Sequence, residues 1–181
     1  DMTADNSVTI DNTALNTLKL KVTPSSPLPP EPGPEFSVTL NAAGLTGSYD
    51  LTAGFSADAT DGFDAFIDDY APPQPPPPAF DAALGWGGER FYIQILGSTD
   101  SDFGEAHVFD VLLQHDVDGM ITLSWDNYAW YELGSFSLVD AFGGDMIYVD
   151  MNDENSITLY EDDPPVQFVI VPGAVEPPEE P

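Results

Sequence analysis

The chain has 181 residues, with 32 Asp and Glu against 3 Lys and Arg, a net charge of −29. A surface of that sign repels phosphate backbones and anionic lipid, so no nucleic acid and no membrane surface is expected as a partner. Hydrophobic residues at 42% permit a packed core, the absence of cysteine excludes disulfides and thiolate metal sites, and no apolar run approaches the ~20 residues of a membrane helix.

Taken in chain order, the hydrophobic period is two almost throughout. Ser7–Ile10 and Leu18–Val22 alternate apolar and polar residues, and Pro24–Pro34 follows as an extended Pro-rich linker. Phe36, Val38 and Leu40 share one face of a strand, with Ser37 and Thr39 on the other. Asp58–Pro78 reads as a long loop with room for one helical turn at Asp64–Tyr70. It ends in Pro72-Pro73-Gln74-Pro75-Pro76-Pro77-Pro78, close to polyproline II. Gly85-Trp86-Gly87-Gly88 is a turn, and Arg90–Leu96 puts Phe91, Ile93 and Ile95 on one face. His107–Leu113 is mostly apolar, as expected of a strand buried on both faces. Ile121, Leu123 and Trp125 alternate with Thr122 and Ser124, and further strands are expected at Phe136–Leu138, Met146–Met151, Ile157–Tyr160 and Val166–Val171. About ten short strands between Gly, Asp and Pro turns predict an all-β fold, an antiparallel β-sandwich of immunoglobulin-like or jelly-roll-like form.

The two ends of the chain resemble each other. Asn6-Ser7-Val8-Thr9-Ile10 aligns with Asn155-Ser156-Ile157-Thr158-Leu159. With a one-residue gap, Leu18-Lys19-Leu20-Lys21-Val22-Thr23-Pro24 aligns with Val166-Gln167-Phe168-Val169-Ile170-Val171-Pro172. Pro29-Pro30-Glu31 then matches Pro177-Pro178-Glu179, so residues 1–32 read as a second copy of 150–181. The chain accordingly divides into an N-terminal β segment over 1–24, a Pro-rich linker over 25–35, a sandwich module over 36–172 and an acidic Pro-rich tail over 173–181. A detached pair of strands cannot bury its apolar face alone. Residues 1–24 are therefore expected to complete the sheet of a neighbouring subunit, with Val8, Ile10, Leu18, Leu20 and Val22 as the inserted side chains.

Four acidic clusters stand out, at 58–69, 100–105, 116–118 and 150–154. No cofactor is required by any motif. Ca²⁺ is the cation that loops rich in carboxylate oxygen suit, with Asp58, Asp61, Asp64, Asp116 and Asp118 as candidate ligands beside the alternative of a merely solvated acidic surface. His107 and His115 are eight residues apart, ~26 Å along a strand, too far to share a metal. No segment forms a nucleophile elbow, a P-loop or a zinc-protease helix, so no catalytic residue is assigned. Trp125, Tyr128, Trp130 and Tyr131 fall within seven residues. Two readings follow: the cluster is buried in the domain or at a subunit contact, or Tyr128, Trp130 and Tyr131 stack on a polysaccharide.

Ala59-Thr60-Asp61-Gly62-Phe63-Asp64, the Pro run and Ala79-Phe80-Asp81-Ala82 resemble modules of secreted, cell-surface proteins of Bacteroidetes-type bacteria. So do Ile121-Thr122-Leu123-Ser124-Trp125-Asp126, Gly134-Ser135-Phe136-Ser137-Leu138-Val139-Asp140 with Phe142-Gly143-Gly144, and Val149-Asp150-Met151. The likeness covers residues 45–172 and departs at Asn127-Tyr128-Ala129-Trp130-Tyr131, where such modules have Pro-rich spacing. It implies a β-rich, extracellular module without defined chemistry. Together with the repeat, it leads to the expectation of a non-enzymatic structural protein. That protein would be a subunit or repeat module of a surface filament, with copies of itself as partner. The alternative is a carbohydrate-binding or Ca²⁺-dependent adhesion module.

Overall fold

A computed structural model describes residues 33–176. The expected strands at Ser7–Ile10 and Leu18–Val22, and with them Val8, Ile10, Leu18, Leu20 and Val22, lie outside the described residues. Eleven strands follow in chain order: β1 (Phe36–Ala43), β2 (Ser48–Ser56), β3 (Asp69–Tyr70), β4 (Asp81–Trp86), β5 (Glu89–Gly97), β6 (His107–Gln114), β7 (Met120–Trp125), β8 (Gly134–Asp140), β9 (Tyr148–Asp150), β10 (Ser156–Tyr160) and β11 (Val166–Pro172). One short helix, α1 (Trp130–Leu133), precedes β8, and a 3₁₀ turn spans Asp100–Asp102. The fold is all-β.

The strands form one sheet in the order β10-β7-β1-β2-β5-β4-β6-β11-β8-β9, with β3 beside β5. The sheet folds over so that its inner face meets itself. Phe36 of β1 packs edge-on against Phe136 of β8 at 5.9 Å, although five strands separate them in the sheet. Trp125 of β7 donates its indole N–H to the carbonyl of Met151, just past β9. The layers enclose one core in which Leu40, Leu51, Phe55, Phe109, Phe136, Leu138 and Phe168 are fully buried. Such burial is the main source of stability, at ~1.5–3 kcal/mol for each large apolar side chain.

The sheet is not purely antiparallel: β2 runs parallel to β5, with Thr52 to Ser56 paired to Ile93 to Gly97. A parallel pair needs a crossover rather than a tight turn, and the long segment over 58–78 lies within it. That segment contains β3 and a single turn closed by Ile67 and Asp68 N–H groups on the Asp64 carbonyl, rather than a helix. Strand β6 is buried on one face only: Phe109 and Val111 face the core, while Val108 is 40% exposed. The strand enclosed on both faces is β4, where Asp81 to Gly85 are all buried. The β4–β5 turn has Gly87 and Gly88 at φ of 59° and 88°, the left-handed pair that a two-residue hairpin needs. Gly54 in β2 meets a different constraint, because a Cβ there would fall 2.2 Å from the Phe36 carbonyl oxygen.

Candidate functional site

The candidate acidic ligands do not come together. Asp58, Asp61 and Asp64 follow the C-terminal end of β2, whereas Asp116 bonds Thr46, just before the N-terminal end of that nine-residue strand. The sets are therefore held at opposite ends of a strand ~30 Å long. Asp64 accepts the N–H and hydroxyl of Thr60. Asp116 accepts bonds from the Thr46 N–H and hydroxyl and from the Asp118 N–H. Burial alone would raise the Asp116 pKa, but these bonds outweigh it and hold the carboxyl below its ordinary range. Among the described residues, no group of three or more His, Asp or Glu side chains is placed to hold a metal ion.

The aromatic cluster splits. Trp125 and Trp130 are buried, at 7% and 4% exposure, and Trp130 packs on Phe136 at 4.5 Å. The placement of Trp130 as a sugar-stacking side chain is thus corrected: α1 turns its indole into the core. Tyr131 is half-buried and donates to the Asp153 carboxylate, a bond that pushes its pKa up to about 12. Tyr128 is 87% exposed. A second aromatic surface escaped the sequence reading. Phe63 and Tyr70 stack at 4.3 Å and 7°, each about half exposed, and Tyr70 stacks in turn on Phe91. Phe66 projects fully from the same loop at a φ of 77°, a conformation that a bulky side chain rarely adopts. Two buried bonds anchor the loop: Asp68 accepts the N–H of Ile95 at 2.8 Å and that of Asp64 at 2.7 Å.

A cleft of about 420 Å³ opens beside the β10–β11 connection, walled by Val111, Leu113, Leu159, Pro164 and Pro165. Arg90, the sole Lys or Arg in residues 33–176, reaches into it. Its guanidinium pairs with Asp81, whose side chain is 3% exposed, so the carboxylate is neutralised where it is desolvated. His115 also lines the cleft, and Asp163 caps the Tyr160 N–H. The arrangement is an apolar recess with an internally paired charge. A fourth buried acid, Asp140, accepts the backbone N–H groups of Ile147, Met146 and Phe142. Those bonds hold its carboxyl below the ordinary range and pin the loop between β8 and β9.

The backbone offers a different kind of site. Among the described residues, strands β10 and β9 end the sheet, each with one neighbour, β7 and β8 respectively. An edge strand presents unpaired N–H and C=O groups on which another strand can add. Strand β11 lies instead between β6 and β8, hydrogen-bonded on both sides. The segments that the N-terminal repeat matches are these two, β10 and β11. They do not pair with each other but take an edge position and an inner position of the sheet. No family model, curated protein or solved structure matches the chain.

Proposed function

We propose that the chain is a non-enzymatic structural module of an extracellular, cell-surface filament, in which residues 1–24 add to or exchange into the sheet of a neighbouring copy. One observation carries this reading. The chain holds, ahead of its module, a second version of the two strands that the module already uses as β10 and β11. Among the described residues the places of β10 and β11 are already filled from within the module, so a second version of the pair has a use in a neighbouring copy. A head-to-tail contact of this kind does not close on itself and propagates into a fibre. Deletion of residues 1–24 is the test, read by sedimentation and electron microscopy. The truncated chain is expected to fold and stay monomeric where the full chain assembles. Identical particles from both would refute the reading.

The adhesion alternative draws on the exposed aromatics Tyr128, Phe63 and Tyr70. Retention on an insoluble polysaccharide that Tyr128→Ala abolishes, or a melting temperature raised by Ca²⁺ and not by matched NaCl, would favour it.

A further inference from the structure

We propose that residues 6–24 are a spare pair of closing strands, complementary residue by residue to the positions that β10 and β11 occupy in a second copy of this module. The proposal rests on the strand-exchange reading above and specifies where the segment binds and in which register.

The burial pattern of β11 supplies the first argument. Val166, Phe168, Ile170 and Pro172 are buried, and Gln167, Val169 and Val171 between them are only partly so. In the repeat alignment Leu18, Leu20, Val22 and Pro24 fall on the four buried positions, and Lys19, Lys21 and Thr23 on the three outer ones. A slip of one residue would turn both lysines into the core, so the register is strongly specified. The same holds at β10. Val8 and Ile10 fall on Ile157 and Leu159, which face inward, and Ser7 and Thr9 on the exposed Ser156 and Thr158.

Charge supplies the second. Gln167 donates to the Asp110 carboxylate of β6 at 2.9 Å. Lys19 in that position brings an ammonium to the same carboxylate, and opposite charges on paired strands stabilise the pair. Lys19 and Lys21 are the only lysines of the chain, and both belong to this one segment.

Connection supplies the third. Residues 11–17 link the two aligned N-terminal segments where 160–165, the last residue of β10 and the loop after it, link their counterparts, one residue longer and therefore able to make the same crossing. At the other end, Gly33 sits so close to the Thr99 backbone that a Cβ would fall 2.5 Å from it, and Gly104 donates its N–H to the Pro172 carbonyl. The chain enters the module at the loop where β11 ends. The eight residues between Pro24 and Gly33 extend over ~25 Å, enough to pass from that loop to the same loop of an adjacent copy.

The test disables the resident strand. Phe168 is fully buried, so Phe168→Asp makes β11 unfit for its position. In a chain lacking residues 1–24, this substitution is expected to abolish the cooperative thermal melt. In the full chain the melt should survive, because residues 18–24 take the vacated place. Adding Leu20→Asp to the full-length Phe168→Asp chain should remove the rescue, whereas Leu20→Asp alone leaves the melt unchanged. Equal loss of the melt with and without residues 1–24 would overturn the proposal. If wild-type assembly still depended on residues 1–24 in that event, the segment would be pairing with a sheet edge, and the filament reading would stand without this register.

Discussion

Truncation of Trp130 separates a core residue from a ligand-stacking one. The indole is 4% exposed and lies against Phe136, itself fully buried and in contact with Phe36 and Phe168. Trp130→Ala removes a large aromatic group from packed surroundings, a change that costs about 3–5 kcal/mol. Domains of this length have a total stability of about 5–15 kcal/mol, so the loss is a sizeable fraction of the whole. At about 2–4 °C per kcal/mol, the melting temperature should fall by about 6–20 °C. Tyr128→Ala, two residues away but 87% exposed, should change stability by less than ~0.5 kcal/mol. Urea unfolding followed by circular dichroism measures both. A Trp130→Ala chain within 1 kcal/mol of wild type would show that the ring is not part of the core. Loss of polysaccharide retention at unchanged stability would return it to the role of a binding platform.

Three further outcomes are expected. The folded-state pKa values of Asp140 and Asp116 are depressed, so both contribute stability above the unfolded value near ~4 that is lost as pH falls through the folded values. Asp140→Asn should therefore flatten the acid limb of a urea-unfolding series, and an unchanged limb would remove Asp140 as its source. Tyr131 shifts the other way: its raised pKa adds stability that is full below ~10 and lost as pH rises through about 12, so Tyr131→Phe should reduce the alkaline fall of stability measured by thermal melts, and an unchanged fall would remove Tyr131 as a source. Phe66→Gly relieves a left-handed conformation without uncovering any buried surface and should raise stability by ~1 kcal/mol, whereas a decrease in the same melt would mean that the exposed ring makes a contact in solution.

Strands were legible in the sequence where side-chain alternation marked them, and β1, β5, β7, β10 and β11 are of this kind. Strands β2 and β4 were not. Ala53-Gly54 and Ala82-Ala83 carry little β-branched or aromatic signal, and β4 is enclosed on both faces, which erases alternation. Pairing was illegible for a different reason. The parallel β2–β5 ladder and the place of β11 between β6 and β8 are set by contacts distant in sequence, which local pattern does not encode. The burial of Trp130 depends on a four-residue helix entered through Ala129 at a φ of 62°, and no residue there announces it. The acidic clusters carried no comparable signal. In a chain so rich in carboxylates, proximity in sequence said nothing about convergence in space. The acids with defined work, Asp68, Asp81, Asp116 and Asp140, are distinguished by burial and bonding partners alone.

The place of β11 also dictates when the molecule can fold. Its residues are the last of the sheet to leave the ribosome, yet they fill a gap in the middle. Until residues 166–172 emerge, β6 and β8 have no strand between them, and the rings of Phe109 and Phe136 lack the Phe168 neighbour that both touch. Without a strand in that place the nascent module is an open sheet with wet inner faces. Its closure depends on contacts distant in sequence, which form slowly. A module that stops short of Val166 therefore keeps its two inner faces apart unless a strand from elsewhere, such as residues 18–24, is set between β6 and β8.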